Sequence, residues 1–147
     1  MDYLTRRARR VLFELAPREA RRLDHQQVRE EHVLLGMVAK ENRGFLQELV
    51  VASIFSQYGV DIDRLAHEIE NDVRDAWQPE QIPGRKLRSL EERAFSEALQ
   101  LKDCVIGTEH ILLALLRDKR GTVAACLEPY GLTYNVLRAE LVRRPRL

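Results

Sequence analysis

Two pseudo-symmetric four-helix repeats packed into one compact all-α domain are the fold predicted by three features of this 147-residue chain. Apolar residues recur at helical spacing almost throughout, and no Asn-Gly or Asp-Gly hairpin signal interrupts them. The phrase EEHVLLGMV at residues 30–38 returns as TEHILLALL at 108–116, placing His32 and His110 78 residues apart. The match is wider than the phrase: residues 19–38 and 97–116 share Glu, Ala, Leu, Glu, His, Leu and Leu in register. A repeat of this length is one supersecondary unit written twice, and two such units can bury their aliphatic stripes against each other.

The first helix is expected over about 5–23, with Thr5 as N-cap and Ala8, Val11, Leu12 and Leu15 facing inward. Pro17 lacks a backbone donor and crowds the preceding turn, so a kink or a break is expected there. Further helices are expected over about 31–40, 44–57 and 61–76; in the last, Ile62, Leu65, Ile69 and Val73 keep helical spacing behind an acidic first turn. QPEQIPGR, with two prolines and a glycine, reads as a linker between halves at about 77–85. The second half repeats the plan over about 86–101, 109–118, 122–130 and 134–142. Gly107-Thr108 places a hydroxyl near the orphan N–H groups of its second helix, where the first half has only Arg29-Glu30. Tyr58-Gly59 answers Tyr130-Gly131 at an offset of 72, so six residues are inserted in the first copy between Val38 and Tyr58. The expected place is VVASIFSQ, lengthening the third helix. The repeats then span about 4–76 and 86–143 of a single domain, 1–147.

The composition, 45% hydrophobic, 32% charged and 6% aromatic, is that of a globular protein able to bury a real core. Its net charge of +1 conceals local bias. Residues 1–22 carry seven arginines against three acids, and residues 61–80 seven acids against two arginines. No apolar run approaches the roughly 20 residues that span a bilayer. MDYLTRRARR has no apolar core of a secretory signal, so a cytoplasmic location is expected. Cys104 and Cys126 make neither a disulfide framework nor a metal-ligand spacing, and are read as reduced thiols.

LTRRARRVL, EARRLDH, EEHVLLG and TEHILLA resemble the duplicated N-terminal domain of the Clp ATPases, of the ClpC type. The resemblance covers essentially the whole chain. It implies an all-α pair of four-helix repeats mounted on an AAA+ unfoldase, recruiting protein substrates and adaptors for a partner protease. In some bacteria the family's domain also binds phosphoarginine on marked proteins. The chain departs from the family pattern where Arg29-Glu30 replaces Gly-Thr and where Gly84 replaces a threonine. It contains no G-x-x-x-x-G-K-[ST] phosphate loop, so a Walker-type ATPase is excluded. The chain is expected to be either the amino-terminal piece of an unfoldase or a free-standing regulator or decoy of that system.

Glu31 and Glu109 each open a helix, where the macrodipole alone stabilises a carboxylate. The resemblance implies a sharper role, in which each glutamate holds the guanidinium of a phosphoarginine while nearby N–H groups and a threonine hydroxyl take the phosphoryl oxygens. On that reading Thr5 and Val28 belong with Glu31, and Ile106 and Thr108 with Glu109; Thr5 and Thr108 read equally as caps. Glu30 would oppose an anion at the first site, so the second is expected to bind more tightly. His32 and His110 follow glutamates, but adjacent helical residues point about 100° apart, so they form no catalytic dyad. They are expected to be structural, hydrogen-bonded where each meets the first helix of its repeat. His25 and His67 suggest no constellation. No catalytic residue, metal or cofactor is expected. The arginines at 6, 7, 9, 10, 18, 21 and 22 could form a stripe for nucleic-acid phosphates, but without aromatic interleaving they read as a solvated face pairing with the acidic 61–80 segment.

Overall fold

The computed structural model describes residues 3–76 and 86–144. The expected linker at 77–85, Gly84 included, lies outside the described residues. Helix α1 occupies 6–22 as three joined segments, Arg6–Arg10, a π-helical Val11–Leu15 and Ala16–Arg22. It is followed by α2 (Glu30–Val38), a 3-10 turn (Lys40–Asn42), one helical turn (Arg43–Leu46), α3 (Val50–Gln57) and α4 (Ile62–Ala76). The second copy comprises α5 (Lys86–Gln100), α6 (Thr108–Arg117), α7 (Thr122–Leu127, continued by a 3-10 turn Glu128–Tyr130) and α8 (Tyr134–Arg143). No strand forms among the described residues; an isolated parallel bridge joins Leu4 to Ile106.

Thr5 caps α1: its Oγ1 accepts the Ala8 N–H at 3.1 Å. Pro17 does not sever the helix. The turn before it widens instead, with the Ala16 N–H reaching back to the Val11 carbonyl in an i→i−5 bond. Helix α2 crosses there so closely that a Cβ on Gly36 would lie 3.1 Å from both the Ala16 nitrogen and the Leu15 Cβ.

The insertion falls before α3 rather than within it, which corrects the expectation of a lengthened, unbroken helix over 44–57. The extra residues form the turns Lys40–Asn42 and Arg43–Leu46. They cover the C-terminal carbonyls that α2 leaves open. Asn42 Nδ2 donates to the Gly36 carbonyl at 2.8 Å, and Arg43 Nε to the Val38 carbonyl at 3.2 Å.

Duplication is visible in the backbone. Asp24 and Lys102, 78 residues apart, are both left-handed, with φ of 61° and 62°. The residues after them close the same wrap, His25 N–H to Ala20 O at 2.8 Å and Asp103 N–H to Ala98 O at 2.9 Å. Helices α2 and α6 form the centre: Val33, Leu34, Leu35, Met37 and Val38 are buried, as are Ile111 through Leu116. An apolar surface on all sides of both helices is what two repeats sharing one core require.

Candidate functional site

Each central helix begins on a histidine latch. His32 Nδ1 accepts the Arg29 N–H at 2.8 Å, and His110 Nδ1 accepts the Gly107 N–H at 2.9 Å. A third-position side chain reaching back in this way satisfies a backbone donor at the cap. It also fixes the tautomer, since the proton must lie on Nε2. His32 Nε2–H then donates to His25 Nδ1 at 2.9 Å, and His110 Nε2–H to Asp103 Oδ2 at 2.7 Å. Burial pushes the His32 imidazole down to about 4, with His25 and Arg29 adding to the effect. His25 is lowered as well, by burial first and then by Arg74 and Arg29. The expectation of structural histidines holds, but His25 does belong to a constellation. Its partner position in the other copy is Asp103, and the shared 78-residue offset was the signal for it.

The two glutamates sit differently. Glu31 is largely buried, its Oε1 3.9 Å from the Arg29 Nε. Glu109 folds back over its own helix start, so that a Cβ added to Gly107 would lie 2.3 Å from Oε1. Where the first copy has an arginine, the second has space that its glutamate fills.

Thr5 pairs through its backbone with the second copy. Its N–H donates to the Ile106 carbonyl at 2.9 Å, and the Ile106 N–H donates to the Tyr3 carbonyl at 2.7 Å. The start of the chain therefore docks on the second copy, and both backbone groups of Ile106 are used in that pairing. Thr108 is the first residue of α6 rather than its cap, which is Gly107, and at 3% exposure its side chain is withdrawn from solvent. Val28 is partly buried against the core.

Val28 and Glu31 line a cleft of about 420 Å³, closed on its far side by the loop that follows α6. Arg29, Glu30, Asp118, Arg120 and Thr122 are among the other residues that line it. Glu30, read from sequence as an uncompensated negative charge, forms an ion pair with Arg93 of the second copy. The second-copy contributors Arg120 and Thr122 carried no sequence signal, because only the fold brings that loop to α2.

Four arginines of α1 are tied to acids. Glu14 lies 3.8 Å from Arg10 and 3.6 Å from Arg18, Arg7 pairs with Glu48 at 3.3 Å, and Arg22 bridges Glu19 and Glu70. The Glu70 contact joins the basic helix to the acidic α4. Cys126 Sγ lies 3.8 Å from Asp72 Oδ2, and burial pushes its thiol up to about 12, leaving it protonated. Among the described residues no group of three or more His, Cys, Asp or Glu could hold a metal ion. No helix among them is long and apolar enough to cross a membrane.

An all-helical domain made of two copies, each opening its central helix on a glutamate–histidine pair, defines a duplicated helical module. Residues 3–130 match the family model of the Clp repeat (R) N-terminal domain, and the chain belongs to that family. In general such domains bind substrates and adaptors, and they are recognition domains rather than catalytic ones. The chain is 32% identical over 143 residues to the chaperone protein ClpB of Oceanobacillus iheyensis, covering 95% of this chain and 17% of that protein. It is also 32% identical over 141 residues to the negative regulator of genetic competence ClpC/MecB of Bacillus subtilis, covering 95% and 16%. It thus spans about a sixth of the length of these relatives. The Hsp104 N-terminal domain from Candida albicans has the same fold, with a TM-score of 0.68, 16% identity and coverage of 97% of this chain and 91% of that one.

Proposed function

We infer that this chain is a non-catalytic module that recognises protein substrates or adaptors for a Clp-type AAA+ unfoldase and its protease partner, acting in the cytoplasm. The observation that supports it best is an apolar face on the second copy. Tyr3 is 43% exposed, Phe95 37%, Leu99 57% and Val105 50%. The rings of Tyr3 and Phe95 are 5.2 Å apart, Phe95 and Leu99 stand one helical turn apart, and Val105 adjoins the Tyr3–Ile106 pairing. The first copy has Pro17, Arg21 and Gln27 at the positions of Phe95, Leu99 and Val105. Exposed apolar side chains gathered on one face favour contact with other apolar chains, and extended segments of unfolding proteins supply them.

The test is fluorescence titration of a permanently unfolded, carboxymethylated protein into this domain. Binding is expected, and Leu99→Asp should weaken it at least tenfold while the helical spectrum is kept. Unchanged affinity in Leu99→Asp would remove the face from the reading. Duplex DNA serves as the competing ligand: the internal pairing of Arg7, Arg10, Arg18 and Arg22 supports weak, salt-sensitive association only. A finer reading of the same module is capture of phosphoarginine by Glu31 and Glu109.

A further inference from the structure

Asn42 and Arg43 of the inserted turns close the end of α2, but Phe45 and the Glu48 that follows them face the start of α1. With Thr5, Arg6, Arg7 and Arg10 they line a cavity of about 310 Å³. It shares no residue with the cleft of about 420 Å³ or with the apolar face around Phe95.

Three guanidinium groups meet one carboxylate in this lining, which is therefore net positive. Arg10 is ordered in advance. Its guanidinium carbon stands 5.0 Å from the centroid of the Phe45 ring, and that ring is 8% exposed and held by the core. Stacking occupies the face of a guanidinium and leaves its in-plane N–H donors for an acceptor. Glu14 lies 3.8 Å from the Arg10 Nε, outside hydrogen-bond reach. Arg6 is exposed and forms no ion pair with a described residue. Arg7 is engaged with Glu48 at 3.3 Å, but both side chains are more than half exposed, and a surface pair of that kind holds its partners weakly.

A run of arginines along a helix is ordinarily a solvated face. Here a buried aromatic wall from another element gathers three of them around one concavity. Planar, forked donors match carboxylates two bonds at a time. Glu14 and Glu48 stand among the arginines and interrupt the continuous positive charge that a nucleic-acid backbone requires, whereas separate carboxylates fit between them.

We propose that this cavity docks an acidic segment of a partner protein, whose Asp or Glu carboxylates engage Arg6, Arg7 and Arg10. The site adds an electrostatic contact to the apolar one proposed above and does not depend on it.

Fluorescence anisotropy of a labelled octaglutamate peptide at low salt, together with residue-resolved amide shifts, tests it on the full chain. Saturable binding is expected, with the largest shifts at residues 5–10 and 45–48. Arg6→Glu should weaken it about tenfold, whereas Arg21→Glu, an equal change of charge on the same helix outside the cavity, should weaken it less than about threefold. Glu48→Gln removes the acid from the lining and should tighten binding. Equal losses in Arg6→Glu and Arg21→Glu would reduce the effect to net charge and overturn the proposal. So would shifts centred on residues 28–31 and 118–123, or no binding at millimolar peptide. Displacement by inorganic phosphate, beyond that caused by chloride at equal ionic strength, would make the cavity a phosphate site and overturn the proposal as well. Both arginines are exposed, so neither variant is expected to unfold; should one do so, the position of the shifts in the unmodified chain decides by itself. None of these failures touches the binding of unfolded protein around Leu99, so the two readings fail separately.

Discussion

The phenolic hydroxyl of Tyr134 donates to Glu97 at 2.6 Å, and Glu97 is fully buried. Its counterpart 78 residues earlier, Glu19, is 2% exposed and takes a different partner, Arg22, at 2.8 Å. Both copies thus bury a carboxylate at the same place on their first helix, and each gives one of its oxygens a hydrogen-bond donor. A buried charge is costly unless it is hydrogen-bonded. Arg117, 3.6 Å from the other oxygen of Glu97, supplies the counter-charge.

Removing the hydroxyl should therefore be expensive. A hydrogen bond to a charged group contributes about 1.5–3 kcal/mol, so Tyr134→Phe is expected to lower the unfolding free energy by about that amount. Urea denaturation checks it: the midpoint should fall with the slope unchanged. A midpoint within error of the unmodified chain would mean that Arg117 alone satisfies Glu97.

The close crossing of α1 and α2 gives a second expectation. A Cβ at Gly36 would meet the Ala16 backbone nitrogen and the Leu15 Cβ at 3.1 Å, in a region where both residues are fully buried. Overpacking of a filled core costs about 1–3 kcal/mol, and Gly36→Val should destabilise the domain by an amount in that range. Ala114, the equivalent in the second copy, should tolerate Gly at a smaller cost.

Acid should lower global stability in a defined window. The His32 imidazole drops from the ordinary 6.5 to about 4 on folding. The unfolded chain therefore binds the extra proton first. Stability from this group is complete above 6.5 and is lost as pH falls toward 4, by at most about 3 kcal/mol. Burial pushes Glu70 up, but Arg22 and Arg74 together hold it below the ordinary carboxylate value of 4.5, so its contribution is lost only at more acidic pH. Urea midpoints at pH 7.5, 6.5 and 5 should decline steadily, and a flat profile over that range would contradict the burial of a neutral His32.

Much of the architecture was legible because it is periodic. Helical spacing placed the main helices, apart from where the third begins, and the offset of 78 paired Glu19 with Glu97 and His32 with His110. What was not legible was long-range. The family resemblance groups Thr5 with Glu31, and the bridge between Leu4 and Ile106 pairs the start of the chain with the second copy. Nothing local to LTRRARR encodes that docking. The place of the insertion was missed because VVASIFSQ is apolar and helical in either register; the deciding contact, Asn42 to the Gly36 carbonyl, depends on where α2 ends. The same holds for Glu30, whose charge looked unopposed until the fold brought Arg93 to it.

That last contact argues for the opposite order of affinity at the two proposed phosphoarginine positions. The second was expected to bind more tightly because Glu30 would repel a phosphoryl group at the first. With Glu30 paired to Arg93, the first-copy cleft presents Arg29, Arg120 and Thr122 beside Glu31, and Glu30 and Asp118 line it as well. Cations and a hydroxyl suit the phosphoryl end of the ligand, and the carboxylate suits its guanidinium. At the second position Glu109 already covers its helix start, Ile106 spends both backbone groups on Tyr3 and Thr5, and the Thr108 side chain is withdrawn from solvent. A ligand there must first displace Glu109. Calorimetric titration with free phosphoarginine at pH 7.5 should accordingly show Glu31→Ala weakening the tighter event, by about tenfold if one charge-assisted hydrogen bond is lost. Glu109→Ala should leave that event nearly unchanged. If Glu109→Ala has the larger effect, the folded-back carboxylate is a ligand poised for use rather than a plug. If no heat is detected at millimolar ligand, both glutamates are helix-end charges, and recruitment rests on the apolar face around Phe95 and Leu99.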